Sequence, residues 1–230
     1  MDNGWSRLTQ RLLKLKITER KAKWLFAISL IALSIIHYPL SLIHANDCTG
    51  FKTIPPVNIT IPEHEIFIAQ PDGFSDLLHG RVLATFSEQF EISYGVGEAN
   101  GGWCLFIERI DATMGYTEFT VEIDQRHIKG SCEYDAILEH EFEHVAAHLS
   151  VITDEKPRIK QAVTNAAASI LPVLIEYQSQ IEGAMDRLEK HLQERPEIRL
   201  MRQKLAAERE IRNRKIDLED RGWRIERCKL

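Results

Sequence analysis

The chain sorts into segments by the period at which apolar and polar residues alternate. From Trp24 to Ile43 there is no alternation: W-L-F-A-I-S-L-I-A-L-S-I-I-H-Y-P-L-S-L-I contains no Asp, Glu, Lys or Arg. Val57–Ile61 and Glu65–Ala69 alternate with a period of two, which predicts two short strands fenced by Pro55, Pro56 and Pro62. Over residues 73–90 the spacing of Phe74, Leu77, Leu78, Val82, Leu83 and Phe86 predicts a helix. Gly80 would cost that helix about 1 kcal/mol and offers a break point. Gly95-Val96-Gly97 and Gly101-Gly102 read as turns; they lack the G-x-G-x-x-G spacing of a phosphate loop. Trp103–Ile110 and Tyr116–Ile123 then read as two strands joined by a hairpin at Asp111–Gly115. Ile137–Ser150 reads as a helix without Gly or Pro. From Glu176 onward the chain is charged and helical, with Ile181, Met185, Leu188 and Leu192 on one seam and Pro196 as an interruption. Glu197–Asp220 resumes with mixed charges, a helix docked on the core rather than a coiled coil. Trp223 and Cys228 suggest that the C-terminal end is fixed down.

This order predicts an α+β fold: a small strand layer followed by a helix over residues 46–178, and a charged helical extension over 179–230. The 230 residues, 44% hydrophobic and 27% charged, suffice for one cored domain with accessories. A net charge of −5 gives no reason to expect a nucleic-acid partner. Residues 1–23 are basic, with Arg7, Arg11, Lys14, Lys16, Arg20, Lys21 and Lys23 against Asp2 and Glu19. The apolar run that follows is about as long as the roughly 20 residues that a bilayer core requires. It reads either as an uncleaved anchor with a cytoplasmic basic flank or as a signal peptide cleaved after Ile43-His44-Ala45. Both place the remainder outside the cytoplasm, periplasmic or secreted.

The four cysteines, Cys48, Cys104, Cys132 and Cys228, all follow that run. An even count in an oxidising compartment suggests two disulfides. Spacing favours Cys104–Cys132 with Cys48–Cys228; four unpaired thiols is the other reading. A Cys-based zinc site is disfavoured because no C-x₂₋₄-C pair is present. Asn58-Ile59-Thr60 matches a glycosylation sequon but reads first as strand.

The chemistry concentrates in I-L-E-H-E-F-E-H-V-A-A-H-L-S, Ile137–Ser150, where His140, Glu141 and His144 stand in the order H-E-x-x-H. Helical residues four apart share a face about 6 Å apart along the axis, so two imidazoles can reach one Zn²⁺. Glu141 then stands where it can take a proton from a metal-bound water. An exposed polar helix with solvated histidines is the competing interpretation.

His140–His144 resembles the active helix of the zincin metallopeptidases, and the arrangement is similar to small bacterial proteins regarded as secreted zinc-dependent proteases. The resemblance spans residues 80–180 and rests on the five-residue signature. It implies a zinc-dependent peptidase acting on a peptide or protein substrate, with Glu141 as catalytic base and His140 and His144 as metal ligands. It also makes Glu118–Ile123 similar to the edge strand that holds an extended substrate. The metzincin continuation G-x-x-H is missing, so the third ligand stays open. His148 lies about 12 Å along an unbroken helix from His140. Asp154, Glu155 and Glu176 are the other candidates, Glu176 ranking first because it sits in an apolar run where an unpaired carboxylate is costly. Tyr116, His127 and Tyr134 are the nearby candidates for an oxyanion donor, with aromatic packing explaining both tyrosines equally well and His127 also reading as a turn residue. A second functional reading is a non-catalytic, membrane-anchored envelope protein that binds a partner through its C-terminal helices.

Overall fold

Between Gly102 and Ile123 the apolar positions keep a period of two but change parity twice. Leu105 and Ile107 are buried, then Ile110, Ala112, Met114 and Tyr116, then Phe119, Val121 and Ile123. A flat strand would turn the middle run to the face opposite the other two. In the computed structural model the segment is one continuous strand, and two register shifts against its neighbour absorb the parity changes. The structure describes residues 48–72, 74, 79–99, 101–220 and 223–229. The apolar run 24–43 and its basic flank lie outside them. Among the described residues no helix is long and apolar enough to cross a membrane.

The strands are β1 (Val57–Thr60), β2 (Glu65–Ala69), β3 (Gly80–Ala99), β4 (Gly102–Ile123) and β5 (Val173–Ile175). β3 pairs antiparallel with β4 along its whole length. The two are joined by a tight turn in which Gly101 takes a φ of 88°. On the other side of β4, β5 pairs antiparallel at Trp103–Leu105, β1 parallel at Ile110–Thr113 and β2 parallel at Glu118–Glu122. The helices are α1 (Cys132–Ala168), α2 (Ile181–Gln193), α3 (Pro196–Asp220) and α4 (Trp223–Arg227). The fold is thus mixed α and β, with C-terminal helices, as the element order predicts.

Three local expectations are corrected. The described part of 73–90 is strand from Gly80 onward, not helix. Its apolar residues lie on both sheet faces, Val82 and Ala84 inward and Leu83 outward, which mimics a helical period; pairing with β4 overrides it. Asp111–Gly115 is not a hairpin but the middle of β4, where Gly115 admits a close approach: a Cβ there would sit 2.8 Å from Cδ of Pro62. Gly95-Val96-Gly97 lies inside β3, where a Cβ on Gly95 or Gly97 would strike the ring of Phe106 or Phe51.

α1 starts on Ser131, whose hydroxyl accepts from the Tyr134 N–H, with Glu133 and Asp135 in its first turn. Its buried stripe runs through Tyr134, Ile137, Glu141, Val145, His148, Ile152, Glu155, Ile159, Val163 and Ala166, the three-and-four spacing of one helix face. That stripe packs on the sheet in a core with Ile110, Met114, Phe119 and Val121. The same core takes in Leu192, Ile198, Met201 and Leu205, so the C-terminal helices share the hydrophobic interior with the strand layer.

The cysteines pair as Cys48–Cys104 and Cys132–Cys228, not as spacing suggested. Cys104 opens β4 whereas Cys132 follows its opposite end, up to about 60 Å of strand away at 3.3 Å per residue. The bridges span sequence separations of 56 and 96 residues, each contributing about 4–5 kcal/mol in the chain-entropy description. The second ties the start of α1 to the end of the chain.

Ile198 is fully buried where α3 meets the shared core. Ile198→Ala is expected to cost about 2–4 kcal/mol by opening a cavity there, read as a lowered midpoint in urea denaturation.

Candidate metal centre

Three of the residues on the buried stripe of α1 are polar, and burying them requires partners. Glu155 accepts from Nη1 of Arg158 at 2.6 Å. His148 packs its ring against Tyr116 and Phe119, with centroids at 4.9 and 5.8 Å, and its Nε2 accepts from Nδ2 of Asn213 at 3.2 Å. The other ring nitrogen of His148, Nδ1, is buried without a hydrogen-bond partner among the described residues. Glu141, 4% exposed, has no such partner at either oxygen. It borders a cavity of about 470 Å³ shared with His140, His144 and the last three turns of α3.

His140 and His144 stand beside this stripe, facing α3. Their Nε2 atoms are 3.2 Å apart. Oδ1 of Asp217, from α3, lies 3.1 Å from Nε2 of His144 and 3.5 Å from Nε2 of His140. A zinc ion with nitrogen and oxygen ligands at about 2.0–2.1 Å in tetrahedral geometry sets its ligand atoms about 3.3 Å apart. The three atoms therefore outline one face of such a tetrahedron, and the cluster can hold a metal ion. Asp217 is largely exposed on the cavity side, which leaves the fourth position accessible.

Each ring has an acceptor oxygen near its far nitrogen, hydrogen-bonded in His144 and in close ionic approach in His140. Nδ1 of His144 donates to Oδ1 of Asn213 at 3.2 Å, and that asparagine's amide nitrogen is the one bonded to His148. Oδ2 of Asp220 stands 2.8 Å from Nδ1 of His140, close though off the N–H axis. With both protons drawn to Nδ1, both Nε2 lone pairs point at a carboxylate oxygen. Three converging lone pairs repel unless a cation lies among them. Arg224 of α4 closes the assembly: Nη2 binds Glu143 at 2.7 Å, and Asp220 and Glu139 lie at 3.8 Å.

Burial, with the neighbouring His144, holds His140 below the ordinary imidazole value, against the pull of Asp220 and Asp217. Burial and the charge of Asp217 push the Glu141 carboxyl up to about 8. A bound cation reverses that pressure and releases the Glu141 proton. Burial drives His148 down to about 4, with Arg209 and His144 adding to it, so it stays neutral.

Neither Glu176 nor His148 joins His140 and His144 in the cluster; Asp217 does. Glu176 follows β5, which pairs with the opposite end of β4 from Gly80 and Ile123, and it is exposed. His148 lines the cavity but spends its Nε2 on Asn213. Asp154 pairs with Arg212 at 2.9 Å, and Glu155 with Arg158. Of the candidate oxyanion donors, Tyr116 and Tyr134 are buried in the core and His127 bonds elsewhere; none of them lines the cavity.

Comparison of the chain with protein-family models, with curated proteins and with solved structures finds no match.

Gly80, the first residue of β3, explains how the strand comes so close to this helix. A Cβ there would sit 2.7 Å from Oε1 of Glu141 and 2.8 Å from Cγ2 of Ile137. Sequence reading missed Asp217, Asp220 and Asn213. Their one signal is the N-x₃-D-x₂-D spacing, which puts all three on one face of a helix that otherwise reads as solvated.

Asp217→Ala is expected to weaken zinc binding by more than about 100-fold, because loss of outer partners alone costs up to that much. Glu176→Ala should leave the affinity unchanged; competition with a chromogenic chelator reads both. In chelator-treated protein, the folded state holds the Glu141 proton between pH 4.5 and about 8 whereas the unfolded chain has lost it. Wild type should therefore lose stability relative to Glu141→Gln as pH rises through that window, measured by urea denaturation at a series of pH values.

Proposed function

We propose that this protein is a zinc-dependent hydrolase of peptide bonds. His140, His144 and Asp217 hold the ion and Glu141 acts as general base. The observation that carries this reading is the triangle of donor atoms beside a buried, unpartnered carboxyl group. Zinc in such a site lowers the pKa of water and polarises a carbonyl oxygen. Glu141 takes the proton of the attacking water and hands it to the departing nitrogen. Its lack of any competing hydrogen bond keeps it free for that traffic. Asp220 and Asn213 hold the two imidazoles in their ligand tautomers.

The substrate reading follows from the sheet. Glu118–Ile123 is not an edge, because β4 is paired with β3 on one side and β2 on the other. β3, like β1, β2 and β5, pairs only with β4 among the described residues, but it is at the start of β3 that Gly80, Arg81 and Val82 line the cavity. An extended peptide can add to β3 there by main-chain hydrogen bonds, its scissile carbonyl delivered next to Glu141. Two disulfides support a site of action outside the cytoplasm. The anchor or signal reading of 24–43 agrees with that placement.

One observation favours the second reading, a non-catalytic partner-binding envelope protein: Leu200, Ile211 and Leu218 of α3 are exposed. Glu141→Gln separates the two. The hydrolase reading expects zinc content unchanged and cleavage of dye-labelled casein reduced on the order of 10²–10⁴-fold. Undiminished cleavage in this variant removes Glu141 from the mechanism. A wild-type protein that neither retains zinc nor cleaves casein supports partner binding instead.

A further inference from the structure

Hydrolysis of an internal peptide bond moves two protons from water to the leaving nitrogen, which passes from amide to ammonium. Glu141 accounts for one. The second is released from the product carboxyl group, and a further base on the cavity wall can receive it without waiting for Glu141 to discharge.

His79 stands on that wall, immediately before Gly80. Its Nδ1 is 3.1 Å from Nε2 of His127, and Nδ1 of His127 is 3.3 Å from Oε2 of Glu133 in the first turn of α1. The backbone is fixed at both rings. The Asp124 N–H donates to the His79 carbonyl at 2.9 Å, and the His127 N–H donates to the Asp124 carbonyl at 3.0 Å. The side-chain amide of Gln70 donates to the His127 carbonyl at 2.9 Å. Nε2 of His79 has no hydrogen-bonding partner among the described residues.

Other charges nearby are spoken for. The Asp124 carboxylate takes the backbone N–H of Arg126 at 2.8 Å and its Nε at 2.7 Å. Arg81 pairs with Glu122. The cavity is also lined by His140, Glu141, His144, Glu210, Arg214, Asp217 and Asp220. Glu133 is thus the anion that orients the pair. It draws the His127 proton to Nδ1, so Nε2 of His127 accepts from Nδ1–H of His79. The free Nε2 of His79 is left with its lone pair. Burial, and then His127 and Arg126, keep His79 below the ordinary imidazole value, outweighing Asp124 and Glu133.

We propose that His79 is the second acid–base residue of this centre, held in its proton-accepting tautomer by Glu133 through His127; the proposal rests on the hydrolase reading. When Nε2 of His79 takes the second proton, its Nδ1–H bond breaks and an N–H bond forms at Nε2 of His127. The positive charge then rests on His127 beside Glu133, and Nε2–H of His79 is a donor to the departing amine. Reversal of the shift resets the pair. Glu133 is partly exposed and gives the relay an outlet to solvent.

The test uses the full-length, zinc-loaded protein with dye-labelled casein. His79→Ala is expected to lower kcat on the order of 10²-fold with zinc content unchanged, and added imidazole should restore part of it. Glu133→Ala should move the acid limb of the pH–rate profile to lower pH, because the His79–His127 imidazolium loses its counter-charge. Nitrogen-15 spectra of wild type should show the neutral His79 protonated at Nδ1. Full kcat in His79→Ala, or a His79 protonated at Nε2 in the neutral state, overturns the assignment while the zinc reading stands. Zinc-loaded wild type that cleaves nothing overturns the hydrolase reading and this role with it.

Discussion

A polar group buried on a helix that packs against a sheet destabilises the fold unless it finds a partner, and α1 carries three of them on its inward stripe. Glu155 is answered within the protein and His148 at its Nε2 alone; Glu141 has no hydrogen bond at all among the described residues. The molecule retains this carboxyl group by bringing β3 onto α1 at a glycine, so the carboxyl borders a cavity rather than solid core. Everything else at the site follows from that unanswered carboxyl group and the two imidazoles beside it.

Completing the site is a task for the chain's far end. Asp217 is 73 residues from His144, and no local rule brings them together. The tie is made by Leu192, Ile198, Met201 and Leu205 in the shared core, by Arg212 reaching Ser150 and Asp154, and by the Cys132–Cys228 bridge. Arg224 sits inside the loop so closed and binds acidic residues of both α1 and α3. The helices after residue 178 are thus part of the centre rather than an appendage to it.

What could be read from the sequence was whatever depends on short spacing. The i, i+4 relation of His140 and His144 is a property of any helix, so the pair converges as the motif suggests. The short strands β1 and β2 were legible from alternation, as was the helical character of the C-terminal region. What depends on pairing was not. The parity changes of β4 at Glu108 and Thr117 look like the ends of separate strands until β3 supplies the opposing register. Likewise, the two-faced apolar pattern after Gly80 looks helical without β4 beside it. The disulfide partners and Asp217 required the full topology, since both depend on which end of β4 each segment reaches.

The most direct test of the central claim is zinc K-edge X-ray absorption on the full-length, zinc-loaded protein. Two imidazole nitrogens and oxygen donors at about 2.0–2.1 Å, with no sulfur, are what His140, His144, Asp217 and an open fourth position predict. A sulfur shell near 2.3 Å, a single imidazole, or failure to retain zinc would contradict it.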